Sequence, residues 1–388
     1  LAESTIEKTP ESAEPTPAVE IRATQGVLHL SALDGIRGLA ALYVLLHHVT
    51  TDLPYGNINP IQRVLGFAFK FGHYPVDVFI VLSGYCLMIP VCRAGGILRG
   101  GAKTFFIRRA KRILPTYYAA LAFSLVLIWL FLGTTTGTHW DEALPVTTKD
   151  IWTHLLLLQD LFPKINHDIN YAMWSISVEW RIYFLFPLMV LAAARFGAPI
   201  VAAVTCVASY VLLALLRHTP INTDPWGVSP AYFGLFSLGM LACDMSFGKL
   251  RDHWQKPGLF VASLAVLSVT GVGLSVSPFY AHLQALSLVV GLWAACLMLC
   301  VMRGYLPWAN RVFSWKPVAF LGTIGYSLYL FHPPLIQIAW TGLIRPFGFS
   351  HTAQQLLLFA CTPLIVGGCY LAFLLFERPV LRWLAAKK

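Results

Sequence analysis

Residues 198–217 read APIVAAVTCVASYVLLALLR, twenty positions whose one charge, Arg217, stands at the end. As a helix such a run rises about 30 Å, the thickness of a bilayer's hydrocarbon core. Lipid offers the backbone no hydrogen-bond partners, so a crossing run must close its own bonds as a helix, and this run lacks the alternation of a barrel strand. Working outward, further apolar runs stand at 33–52, 72–92, 113–132, 174–194, 229–247, 258–275, 282–302, 319–341 and 355–377. The expected fold is all-α, a polytopic helical bundle with about ten transmembrane helices.

Composition agrees. Of 388 residues 57% are hydrophobic and 12% charged, roughly half the charged share of a soluble domain. The net charge of +10 is read as basic residues collected in cytoplasmic loops, not as a nucleic-acid surface. Arg93, Arg99, Lys103, Arg108, Arg109, Lys111 and Arg112 crowd one loop, whereas 133–173, the longest loop of the opposite side, holds Lys149 and Lys164. That asymmetry places both termini in the cytoplasm. Residues 1–29, rich in Pro, Glu, Ser and Thr, read as a mobile cytoplasmic tail, 30–379 as the membrane domain and 380–388 as a short cytoplasmic tail. No signal peptide, internal repeat or second soluble domain is expected. The eight cysteines lack paired spacing, and Cys296 and Cys300 read as packing residues before metal ligands.

Ionisable residues inside spans are expensive, so they face a partner or a cavity. In LDGIRGLAALYVLLHH (33–48), Arg37 and His48 are eleven steps apart, which sets them on one helix face about 16 Å apart along the axis, with Asp34 beside Arg37. The stripe reads equally well as an Asp34–Arg37 ion pair with a histidine at the outer interface. PVDVFIVLSGY (75–85) places Asp77 outward and Ser83 with Gly84 deeper, Gly84 being more simply a packing residue. In MWSISVEWRIY (173–183) Ser175 and Glu179 lie one turn apart, behind Trp174. GYSLYLFHPP (325–334) carries Tyr326, Tyr329 and His332, followed by two prolines that suggest a kink. FERPV (376–380) reads as the inner interface.

Taken with FFIRRAKRILPTYY (105–118) and SLYLFHPP (327–334), these segments resemble in order and spacing the membrane-bound acyltransferase 3 family, in its stand-alone form without a hydrolase-like domain. The resemblance implies an O-acyltransferase, usually of acetyl groups, with an essential Arg37 and His48. It also implies a cluster, Arg108, Arg109 and Arg112, that engages a cytoplasmic acyl-CoA donor such as acetyl-CoA, and a carbohydrate acceptor. No metal is expected. The basic cluster has a plainer reading, since the positive-inside rule alone would put it there.

In the expected mechanism His48 is the general base for the acceptor hydroxyl, or alternatively a nucleophile that carries the acyl group. Glu179 or Asp77 orients it or binds sugar hydroxyls, and Arg37 or a backbone amide stabilises the oxyanion. Asp34, Ser83, Trp174, Ser175, Tyr326 and His332 complete the expected substrate-binding set. The competing class is a transporter or flippase using the same buried charges. It would need a sealed membrane and leave a thioester intact.

Overall fold

The structure, a computed structural model, describes residues 17–51, 60–221, 223, 229–276 and 283–386. Among them the chain is helical, with no strand. In order the helices are α1 (Pro17–Thr51), α2 (Pro60–Phe69), α3 (Tyr74–Arg93), α4 (Gly101–Leu127), α5 (Thr148–Leu155), α6 (Trp174–Phe196), α7 (Ala198–Leu216) and α8 (Ala231–Phe247). They continue with α9 (Pro257–Val276), α10 (Leu283–Met302), α11 (Pro307–Phe313), α12 (Lys316–Thr323), α13 (Gly325–Ala339), α14 (His351–Ala360), α15 (Thr362–Ala372) and α16 (Arg378–Ala386). The N-terminal tail expected at 1–29 overlaps the first turns of α1, and residues 1–16 lie outside the described residues. The described part of the C-terminal tail falls on α16, with residues 387 and 388 outside.

Seven stretches among the described residues are long and apolar enough to cross a membrane: Arg63–Arg93, Gly101–Leu132, Trp174–Phe196, Ala198–Leu216, Pro257–Ser275, Ala285–Met302 and Thr362–Ala386. The other three expected spans fall on α1, on the apolar but shorter α8, and on α12 with α13, which are separate helices parted at Ile324. No residue in the apolar window of Pro257–Ser275 is buried in the protein, and Leu259, Val266, Val269 and Val272 all point outward. A helix apolar all round and packed on so little protein is stable only where hydrocarbon is the solvent. This is an integral membrane protein.

Between helices in lipid, close approach and not water expulsion supplies the attraction, so small residues mark the seams. A Cβ at Gly84 of α3 would collide with the Phe236 carbonyl of α8, and one at Gly239 of α8 with the Val81 carbonyl of α3. Gly38 and Gly322 bring α1 and α12 together in the same way. The packing role weighed for Gly84 is the one the structure gives it.

The expected break after His332 does not end the helix, for α13 runs through Pro333 and Pro334 to Ala339. Pro334 has no N–H, so the Leu330 carbonyl loses its helical donor. Asn170, from the loop before α6, supplies one through Nδ2 at 3.0 Å, and the same amide group donates to Ser124 Oγ of α4 at 3.1 Å. The loop, α4 and α13 are thereby tied at one point.

Candidate active site

A cavity of about 280 Å³ lies among α1, α3, α4, α6 and α13. Its lining brings together Arg37, Ser83, Arg109, Arg112, Ser175, Glu179 and Tyr326 from the expected set, and adds Cys86, Tyr183 and Tyr329. Arg37 Nη1 donates to Asp34 Oδ1 at 2.6 Å and Nη2 reaches Cys86 Sγ at 3.7 Å. Asp34 and Arg37 therefore do form the ion pair of the plainer reading, and Arg37 still faces the cavity. Tyr183 donates to Glu179 and lies 3.2 Å from Ser83 Oγ, a polar chain one helical turn long. Arg109 Nε is buried without a hydrogen-bond partner, an expensive state for a guanidinium unless a ligand completes it. Arg108, on another face of α4, is exposed and does not line the cavity.

Tyr329 is one wall of the cavity, and its hydroxyl accepts from Ser175 Oγ at 2.8 Å. Beyond it stands a second polar cluster. The Tyr329 and His332 rings are 6.0 Å apart, and His332 and His48 are 5.2 Å apart. Around His48 lie His47 at 5.0 Å, His139 at 5.4 Å in a stacked arrangement, and Tyr171 at 4.6 Å. Arg37 and His48 thus mark two neighbouring regions, joined through Tyr329 and His332.

Two more expected residues, besides Arg108, lie off the cavity lining. Asp77 is fully buried, with Ser287 of α10 as its facing polar group, on the side of α3 that Gly84 presses against α8. Trp174 is buried beside the cavity, stacked on His73 at 6.0 Å and tilted against Tyr232. Glu377, read as an interface residue, is buried instead and accepts from Ser327 N (3.2 Å) and Oγ (2.6 Å) of α13. Tyr183 was within reach of the sequence, one turn beyond Glu179. His139 and Tyr171 had no such signal, because they stand in an aperiodic loop.

That loop is rigidly built. His139 to Ala143 form a 3-10 turn, Thr138 Oγ1 donates to Gln337 Oε1 of α13 at 3.0 Å, and Ile169 N donates to Ala143 O at 3.0 Å. Hydrogen bonds from His139 and His167 hold the Glu142 carboxyl well below the usual carboxylate range. Burial and the neighbouring Asp150 push the Asp168 carboxyl up from 3.8 to about 7. Among the described residues no three His, Cys, Asp or Glu side chains are grouped to hold a metal ion.

Comparison with known proteins gives this geometry a context. The peptidoglycan O-acetyltransferase OatA of Listeria monocytogenes is 22% identical over 335 residues, covering 80% of this chain and 50% of its own. YrhL of Bacillus subtilis is 26% identical over 345 residues, covering 81% of this chain and 50% of its own. The acyltransferase MdmB of Streptomyces mycarofaciens is 24% identical over 389 aligned positions, covering 93% and 94%. The chain spans about half the length of the first two. No solved structure matches significantly. A family profile described as an acyltransferase domain matches residues 30–374, and with nearly the whole membrane region covered the chain belongs to the acyltransferase 3 family.

Proposed function

We propose that the protein moves an acyl group, acetyl in the first instance, from a cytoplasmic acyl-CoA to a hydroxyl of a glycan on the far side of the membrane. The observation that carries this reading is the cavity with three guanidiniums whose lining residue Tyr329 stands against His332 and, through it, His48. Arg109 and Arg112 suit the phosphates of the donor, which guanidinium forks bind in bidentate fashion. The partnerless Nε of Arg109 fits such a ligand. Arg37 and the Ser83–Tyr183–Glu179 chain would line the path of the thioester arm.

His48 takes the proton from the acceptor hydroxyl as its oxygen attacks the thioester carbonyl. The C–S bond then breaks and His48 returns the proton to the departing thiolate, so atoms and charge balance. Glu179 supports this from the cavity; Asp77 acts from behind α3, through packing. Both termini and the Arg108–Arg112 cluster are cytoplasmic, the membrane domain extends over 30–379 with about ten crossings, and the membrane is the bacterial inner one. The names of two of the similar proteins point to peptidoglycan as acceptor. Family membership gives the transporter reading no support.

The test is purified protein in detergent with labelled acetyl-CoA and a soluble peptidoglycan fragment. Thioester consumption should match acetylated product. An intact thioester in the presence of acceptor overturns the proposal, and label held on the protein before acceptor is added overturns direct transfer.

A further inference from the structure

A general base works only if its ring is held in place, usually by a hydrogen bond from its second nitrogen to a carboxylate or carbonyl. His48 lacks this, because its Nδ1 is buried without a hydrogen-bond partner. His47, on the same helix, has its own acceptor in the Phe69 carbonyl at 2.6 Å, and His332 has the Leu328 carbonyl at 3.1 Å. What holds the His48 ring is other rings. His139 is the one stacked nearly parallel to it, at 21° between planes, and Tyr171, 4.5 Å from His139, closes the adjacent side.

His139 is itself held by a carboxylate. Its Nδ1 lies 3.3 Å from Glu142 Oε1, while His167 Nδ1 lies 2.8 Å from Glu142 Oε2. An ionised carboxylate only accepts, so both Nδ1 atoms carry hydrogen and both rings are fixed in tautomer and orientation. One glutamate therefore clamps both arms of the loop, the 3-10 turn with His139 and the segment with His167, Ile169 and Tyr171. The bond from Ile169 N to Ala143 O pins the same two arms. Ile169 holds a left-handed backbone, φ 65°, which a β-branched residue adopts only where its surroundings impose it.

We propose that Glu142 and His139 are positioning residues for His48: Glu142 orients His139, and the His139 ring stacked on His48 substitutes for the missing hydrogen bond. This rests on the reading of His48 as the base, and the experiment is chosen to separate the two. His139→Ala should lower kcat about thirtyfold while the KM of donor and acceptor stay within about twofold, since a misaligned base loses rate without losing substrate. His139→Phe, which keeps a flat ring, should recover most of kcat. Glu142→Ala should lower kcat less than His139→Ala, and the double variant should be no worse than His139→Ala alone, because both act through one contact. A His139→Phe enzyme as poor as His139→Ala, or additive losses in the double variant, would overturn the proposal.

A second readout needs no transferase activity. Carbethoxylation of His48 by diethyl pyrocarbonate, followed by peptide mass spectrometry on monodisperse protein, should be faster in Glu142→Ala and His139→Ala than in the parent. If the parent shows no transfer but these rates rise, the functional reading has failed and the positioning contact stands. If the rates are unchanged, the contact does not hold His48.

Discussion

The cavity and the histidine cluster beside it are neighbours, yet they are built from different polar groups. The cavity gathers three guanidiniums around it, with carboxylates at Asp34 and Glu179, and leaves a buried N–H of Arg109 open. The histidine cluster packs His48, His139 and His332 with Tyr171, and the Glu142 carboxylate beside His139 is engaged by two imidazoles. Charge left open suits a charged ligand that arrives and completes it. Imidazoles packed ring to ring suit a neutral hydroxyl and one moving proton. In the proposed reaction the first region would set how well donor binds and the second how fast it reacts.

The sharpest break of that division is His48→Ala. It should lower kcat about a thousandfold with donor binding, measured by calorimetry on the detergent-solubilised protein, unchanged. Next comes Arg112→Ala, expected to raise the donor KM about tenfold, the loss of one hydrogen bond to a charged group, with kcat and acceptor KM little altered. If Arg112→Ala instead lowers kcat alone, the two regions are not separate in role. The smallest effect concerns the loop that brings His139 and Tyr171 to His48. Asp168 is raised from 3.8 to about 7, so the folded loop binds its proton more tightly than the unfolded chain. The stabilisation this gives is complete below 3.8 and lost as pH climbs through about 7. Hydrogen exchange over 144–172, corrected for intrinsic rates, should show the loop loosening between about pH 5 and about pH 8, and Asp168→Asn should remove the dependence.

Much of the cavity was legible in the sequence because it obeys helical spacing. Ser175 and Glu179 are i, i+4 on α6 and face the cavity together, and Arg37 shares a helix face with Asp34. Asp77 shows where spacing stops. It lies about 100° from Val76 around α3, and only the α8 contact at Gly84 decides that Val76 lines the cavity while Asp77 turns from it. The histidine cluster was legible only at His48 and His332. Its remaining members come from 139–171, where position depends on bonds between distant residues such as Thr138 to Gln337 and Asn170 to Leu330. The break between α12 and α13 at Ile324 lies inside a continuous apolar run, so hydropathy could not reveal it.

The bond from Asn170 to the Leu330 carbonyl has a mechanical consequence. A helix that borrows a donor from a loop cannot slide past it without stranding a carbonyl in a dry interior, at a cost of several kcal/mol. In the proposed reaction, any opening that lets a bulky acceptor reach the imidazoles must then swing loop and helix as one lever, or spread the bundle along a different seam.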